Sequence, residues 1–287
     1  MTDLIGMVGI SPEFPLFLPK EIIDTMRYII GAGILTSVLS APVAGYSSPI
    51  TVIGSVAQCH AEILAFAAVA YLINPRCVLF YGSRTFFPSM RSSQCAMDLP
   101  ETGISSAINA QLDTYLGWMS DVFGITCSSC APDEQTGYEK MINGLLPAMA
   151  GATVITDFGS FASVMCCSLA PLAIDDDILD MIFRAQRACE IDEDSPGLNT
   201  IDKVVNDGKI FLGTEHTVMH SRSEIWLPNV GFDGSWADWT KMGEVPLTEL
   251  AQRRAEEVLK KEEAIPVDTS LDAETQKNLD AARKELL

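Results

Sequence analysis

The sequence predicts an α/β protein built on a parallel sheet, and three observations carry that prediction. Apolar runs alternate with longer helical stretches along most of the chain. Five strand-then-helix units follow one another, which suits either a barrel or a doubly wound sheet. Each apolar run closes on Ser, Gly or Pro, the residues that turn a chain. In both architectures functional groups gather at the C-terminal ends of the strands.

Leu4–Ile10 reads as the first strand, ending at Ser11-Pro12. A helix from about Lys20 to Ile30 follows, opened by Pro19 where a proline is favoured. Ile34–Leu39 is the second strand, and Ser40-Ala41-Pro42-Val43-Ala44-Gly45 ends it. The helix from about Ile50 to Ile73 is nearly all apolar and small, as expected where a helix is packed against a sheet and its neighbours. Cys77–Tyr81 is the third strand. A helix is expected over Ile104–Phe123, then a fourth strand at Ile125–Ser128, a helix from Glu134 to Ala150 and a fifth strand at Thr153–Asp157.

After the fifth unit the pattern changes. Asp175–Arg187 reads as a helix with acid at its start and arginine at its end, matching the helix dipole. Residues 195–240 are loop-rich and hold Trp226, Trp236 and Trp239. Two charged amphipathic helices, 247–262 and 272–286, close the chain as solvated faces or oligomer contacts, and a homo-oligomer is expected. The expected division is a partial β/α barrel over 1–190 and an extension over 191–287.

Composition narrows the function classes. The 287 residues are 48% hydrophobic and carry a formal net charge of -19, with a pI of about 4.4. So acidic a surface repels phosphate backbones, so no nucleic-acid partner is expected. It suits a cationic substrate or a basic partner, or serves solubility alone. No signal peptide is read at the N-terminus, and the apolar stretch Ile63–Ile73 is too short to span a bilayer, so no membrane association is expected. Eight scattered cysteines, two of them the adjacent Cys166 and Cys167, fit a reducing, cytoplasmic setting better than a disulfide scaffold.

Several runs have a recognisable texture. They are Ala41-Pro42-Val43-Ala44-Gly45 with Ser48-Pro49-Ile50-Thr51, then Gln58-Cys59-His60-Ala61-Glu62, and Asn74-Pro75-Arg76 leading to Tyr81-Gly82-Ser83. Further on come Pro132-Asp133-Glu134-Gln135-Thr136-Gly137-Tyr138-Glu139-Lys140 with Ala148-Met149-Ala150-Gly151-Ala152, then Ile174-Asp175-Asp176-Asp177-Ile178, Phe211-Leu212-Gly213 and His216-Thr217-Val218-Met219-His220. In order and spacing they resemble the trimethylamine methyltransferase family, from about Ile5 to the C-terminus. The resemblance implies a (β/α)8 TIM barrel, here its C-terminal five β/α units, with a substrate pocket at the C-terminal face. It implies transfer of a methyl group from a methylated amine to the Co(I) of a cognate corrinoid protein. The cobalamin is carried by that partner, and none is held tightly by this chain.

Two departures matter. Family members carry three more strands before the point matching Leu4. The branch specific for trimethylamine carries pyrrolysine in a segment that matches Cys127-Ser128-Ser129-Cys130, where no unusual residue stands. By resemblance the chain falls in the pyrrolysine-free branch, which acts on quaternary amines such as glycine betaine.

Demethylation of a quaternary ammonium is a displacement at carbon, so the protein's task is to hold the cation with one methyl aimed at the acceptor. Aromatic faces attract such a cation by roughly 0.5–2 kcal/mol per contact. Tyr81, Phe86, Phe87, Tyr138 and Phe158 lie at or just beyond expected strand ends; Tyr81, Tyr138 and Phe158 are the substrate-binding candidates among them, and each is alternatively a core or rim aromatic. Glu62, in an apolar helix with His60, supplies negative charge near the substrate or ties its helix to a loop. Asp133 and Gln135 orient the substrate or cap the helix beginning there. Arg84 and Arg91 meet a betaine carboxylate or form surface ion pairs.

His216 and His220 are four apart, spaced for a metal-binding helical face or for hydrogen bonds in the extension that covers the barrel, and His216 is counted among the substrate-binding candidates. Cys127 and Cys130 have zinc-like or redox-like spacing without a second such pair, and no metal site is expected. Two other readings stand beside the enzyme. One is a non-catalytic, truncated barrel subunit that needs a partner chain, since missing strands leave open sheet edges. The other is a binder of small amines without corrinoid chemistry.

Overall fold

A computed structural model describes residues 6–189, 191–261 and 269–286. Strand β1 (Met7–Ile10) leads through α1 (Lys20–Gly31) to β2 (Leu35–Ser40), and α2 (Val52–Ile73) leads to β3 (Leu79–Ser83). A short ribbon, β4 (Phe87–Pro88) with β5 (Cys95–Ala96), precedes α3 (Pro100–Leu116). Then come β6 (Met119–Phe123), α4 (Glu134–Met149) and β7 (Val154–Thr156). A second ribbon, β8 (Ser160–Phe161) with β9 (Cys166–Cys167), leads into α5 (Leu169–Gln186).

The main sheet runs β1-β2-β3-β6-β7, every pair parallel. Strands consecutive in the chain are therefore neighbours in space, each reached through a helix. A doubly wound sheet reverses its order at a switch point; this one does not, and it forms a curled parallel half-barrel. Alternation along the strands sorts the two faces. Leu79 and Tyr81 join Val38, Met26, Ile63 and Phe66 in the core beneath α1 and α2. A second core joins Ile125 and Ile155 to Ala148, Ile178 and Ile182.

Helix α2 begins at Thr51, whose side chain accepts from the Gly54 amide. Its 22 residues, of mean hydropathy 1.6, make it the one helix among the described residues long and apolar enough to cross a membrane. The stretch Ile63–Ile73 had understated that length. Here Cys59, Ile63, Phe66 and Ala70 are fully buried beneath the sheet.

The fourth strand is a correction. It occupies Met119–Phe123, expected as helix, while Ile125–Ser128 forms no strand. Helix α3 stops at Leu116 because Gly117 takes the left-handed conformation (φ 72°) that caps a helix, its amide bonding back to Thr114. Ser120 and Asp121 interrupt the apolar pattern and hide the strand, yet both are buried against partners. Helix α5 also begins earlier than expected, at Leu169.

The loop-rich region contains α6 (Leu198–Asp207), α7 (Glu215–Glu224) and α8 (Trp236–Lys241). Helix α9 (Leu247–Lys261) returns to pack on α5 through Ala170, Ala251 and Val230, and α10 is Thr269–Leu286. The backbone amides of Asn229, Val230 and Gly231 all donate to the Asp177 carboxylate on α5, tying the extension to the sheet's last helix. Leu4, Ile5 and Glu262, the outermost residues of two expected elements, lie outside the described residues.

Candidate functional site

The C-terminal ends of the strands carry two linked polar clusters. The first lies on the sheet face turned away from the helices. Ser37 Oγ on β2 donates to Asp121 Oδ2 on β6 at 2.6 Å, reaching over β3. Two strand spacings of roughly 4.8 Å each separate those strands. The bond forms because Gly82 lies between: a Cβ there would stand 2.5 Å from both Ser37 Oγ and the Val38 carbonyl oxygen. Arg84 closes the cluster. Its Nη2 donates to Asp121 Oδ1 at 2.6 Å, and its Nη1 to the carbonyls of Asp121 (2.6 Å) and Ser83 (3.0 Å). The guanidinium sits 5.7 Å above the Phe123 ring, which Phe86 meets edge-on at 5.0 Å.

The second cluster surrounds the loop after β6. Glu139 Oε2 accepts from the Ser128 amide at 2.9 Å and the Ser129 amide at 3.3 Å, while Gln135 Nε2 donates to its Oε1 at 2.5 Å. Burial raises the Glu139 carboxyl above its ordinary value, and neighbouring Asp98 adds to the rise. Asp98 itself accepts from the Ser128 hydroxyl. Beneath them Lys140 and Asp175 form a fully buried ion pair, with Nζ 2.7 and 2.8 Å from the two carboxylate oxygens. Asp175 also accepts from the Gly159 amide at 2.6 Å, and burial pushes it up to about 6 against the pull of Lys140.

Asp157, just past β7, joins the clusters electrically. Burial raises its carboxyl, Asp121 adds to the rise, and Arg84 and Lys140 oppose it. Its φ of 83° is unusual for a residue with a side chain, a strain of about 1–3 kcal/mol of the kind concentrated at functional sites. Around these strand ends six carboxylates (Glu62, Asp98, Asp121, Glu139, Asp157 and Asp175) face two cations, Arg84 and Lys140. Each cation is matched to one carboxylate. The balance is negative, the sign that draws a cation.

The residues singled out from the sequence divide. Glu62, 2% exposed, accepts from the Leu16 amide (3.0 Å), Ser40 Oγ (2.7 Å) and Gln58 Nε2 (3.0 Å), fastening α2 to the ends of β1 and β2. Asp133 caps α4, accepting from Thr136 N at 3.2 Å and from Ser129 Oγ at 2.9 Å. Gln135 holds Glu139. Tyr138, 64% exposed, lies on the outer part of α4. Tyr81 is fully buried on the helix side of β3, where its hydroxyl meets His60 Nδ1 at 2.9 Å and Asn109 Oδ1 at 3.3 Å. Phe158 packs against the core of Ile125, Ile178 and Ile182 and lines a cleft between α5 and α9 with Leu172 and Val258. Neither ring joins the Arg84–Asp121 cluster.

His216 stands in α7 beside Gly197, its ring 4.4 Å from that of His220, and it bonds to no residue of the two strand-end clusters. Among the described residues no three His, Cys, Asp or Glu side chains are placed to hold a metal ion. Cys127 is buried and Cys130 exposed, both as free thiols. Arg84 is paired as one alternative held, but inside the site rather than at the surface, while Arg91 is exposed.

Sequence reasoning missed Ser37, Asp98, Asp121, Glu139, Lys140, Asp157 and Asp175 as site residues. Asp121 was hidden by the misplaced fourth strand. A usable signal was Gly82 at a strand end, since an interior strand glycine marks close approach of something across it.

A family model described as trimethylamine methyltransferase (MTTB) matches residues 4–286. Trimethylamine methyltransferase MttB of Methanosarcina barkeri is 32% identical over 278 residues, covering 96% of this chain and 55% of the relative. Glycine betaine methyltransferase of Desulfitobacterium hafniense (strain Y51) is 26% identical over 273 residues, covering 95% of this chain and 57% of the relative. The chain thus spans about half the length of the curated relatives it matches.

Proposed function

The chain belongs to the trimethylamine methyltransferase family, and on that premise we propose that it takes part in methyl transfer from a quaternary or tertiary methylamine to the Co(I) of a corrinoid protein. The observation that carries this reading is the family match, which runs through every strand-end residue of the site. The five-stranded sheet is, in this reading, the C-terminal part of a (β/α)8 barrel.

The corrinoid protein is the methyl acceptor, a second substrate whose Co(I) supplies the nucleophile. What remains for this chain is binding and orientation. The excess of carboxylates at the strand ends attracts a cationic amine and lowers the cost of desolvating its charge. Glu62, Asp98, Glu139 and Asp157 are the carboxylates there without a cationic partner of their own. Arg84 is held by Asp121 at its Nη2 edge and by two carbonyls, and its N–H groups outside those bonds are the donors for the carboxylate end of a betaine. The absence of an unusual residue at Cys127–Cys130 supports a quaternary amine, which needs no further activation as a leaving group.

Incubation of the chain with a Co(I) corrinoid protein and glycine betaine, carnitine, proline betaine or trimethylamine tests this. Loss of the Co(I) absorbance with one of these amines is the expected result. No change with any of them sinks the proposal.

A second reading rests on the sheet edges. Among the described residues β1 pairs only with β2, and β7 only with β6. An open edge of this kind supports a chain that binds a small amine yet turns over only when complementary strands are supplied. Amine binding by calorimetry without methyl transfer identifies that case.

A further inference from the structure

A cleft far from the strand ends, where α5 and α7 finish side by side, has the composition of an anion site. It encloses about 710 Å³ and is walled by Phe183, Arg184, Arg187, Arg222, Trp226 and Leu227, among others. Three of the chain's ten arginines thus meet at one place on a protein of net charge -19.

Their partners leave unused donors. Arg184 is spent on Glu224, through Nε to its carbonyl (3.0 Å) and Nη2 to its carboxylate (3.1 Å). Arg187 donates to the Ser223 carbonyl. The last two carbonyls of α7, which would repel an anion, therefore already accept from these arginines. Arg222 has no hydrogen-bond or ion-pair partner among the described residues. The indole Nε1–H of Trp226 is buried with no acceptor. A buried N–H left unpaired is costly, and native structures satisfy such groups with a protein, ligand or ordered-water acceptor. Asp180, the other carboxylate of the cleft, is engaged with Asn229 at 3.0 Å. The buried unpaired group of the cleft, the Trp226 N–H, is a donor, so the partner that would satisfy it is an acceptor. The remaining walls, Phe183, Ile225 and Leu227, are 59%, 62% and 65% exposed and apolar.

We propose that this cleft binds a small oxyanion, a carboxylate or phosphate ester, carried on an apolar body. The oxyanion takes charged hydrogen bonds from Arg222 and Arg187 and one from the Trp226 indole, and the apolar body lies on Phe183 and Leu227. The volume is in the range of small-molecule pockets, roughly 300–1,000 Å³. The site is independent of the methyl-transfer reading, because its readout is binding heat.

Calorimetric titration of the full chain with benzoate, phenyl phosphate and inorganic phosphate tests it. Benzoate or phenyl phosphate is expected to bind, and the tighter of the two identifies the oxyanion. Arg222→Ala, which removes no hydrogen bond or ion pair among the described residues, should weaken that binding roughly tenfold or more, as expected for one charge-assisted hydrogen bond. Trp226→Phe keeps the ring and removes only the N–H, and should weaken it several-fold. No heat from any of the three up to about 10 mM, or binding unaffected by Arg222→Ala, overturns the site. Inorganic phosphate binding as tightly as phenyl phosphate overturns the apolar part of the ligand.

Discussion

Gly82 and Lys140 show how single positions hold the candidate site in shape. At Gly82 the absent side chain is the working part, since it lets Ser37 and Asp121 join across a strand. Gly82→Ala should destabilise the fold by about 1–3 kcal/mol, as overpacking against a backbone carbonyl does, measured by urea unfolding. It should also release Arg84 from its fixed position, because Asp121 loses its second anchor. Lys140 and Asp175 have no access to water, so their charges depend on each other. Asp175→Asn should cost about 3–5 kcal/mol by leaving the ammonium uncompensated. Lys140→Met with Asp175→Asn should cost clearly less than Asp175→Asn alone. Equal losses would show that packing, not charge, governs the position. Tyr81 teaches the complementary lesson. An aromatic on a strand is assigned to one face or the other by register, and a one-residue difference moves it from site to core.

Among the elements, α4 does most to position the site. Its first two turns present Gln135, Glu139 and Lys140, and its N-terminus is capped by Asp133. The Ser129 hydroxyl and the Thr136 amide hold the Asp133 carboxyl below its ordinary value. A lowered folded-state value means that the cap's stabilisation is complete above the ordinary carboxylate range and is lost as pH falls through the lowered value. Wild type should therefore exceed Asp133→Asn in stability near neutrality, with the gap closing in acid, as read from thermal unfolding across pH. A gap constant with pH would mean that charge at position 133 contributes nothing. The same element scale explains the misplaced strand. Residues 104–123 carry enough helix formers to extend a helix through, and only Gly117 marks the stop. The five chain segments alternating between strand and helix were otherwise legible, because each strand is a short apolar run and each helix is long.

For the whole molecule, charge and sheet topology dominate. A net charge of -19 in 287 residues makes the compact state repel itself. Its melting temperature should rise between about 10 and 150 mM salt, as the screening length falls from roughly 30 to 8 Å. A fall over that range would indicate that the Arg84–Asp121 and other ion pairs outweigh the repulsion. The sheet explains why the polar residues converge. Parallel strands in sequential order bring all their C-terminal ends to one side, so residues as distant as Ser37 and Asp157 share one electrostatic environment.

The sequence by itself determined the class of fold, the parallel strand–helix order and the family resemblance that the family match supports. Those depend on periodicity and on motif order, which are local and survive without coordinates. It also marked Glu62 and Asp133, whose neighbours are close in the chain or whose burial demands a partner. Only the tertiary structure decided that Asp121 belongs to a strand, that Tyr81 and Phe158 face helices, and that Ser37, Arg84, Asp121 and Asp157 form one cluster. The physical reason is distance along the chain: Ser37 and Asp121 are 84 residues apart, and their meeting depends on strand register and on one missing Cβ between them.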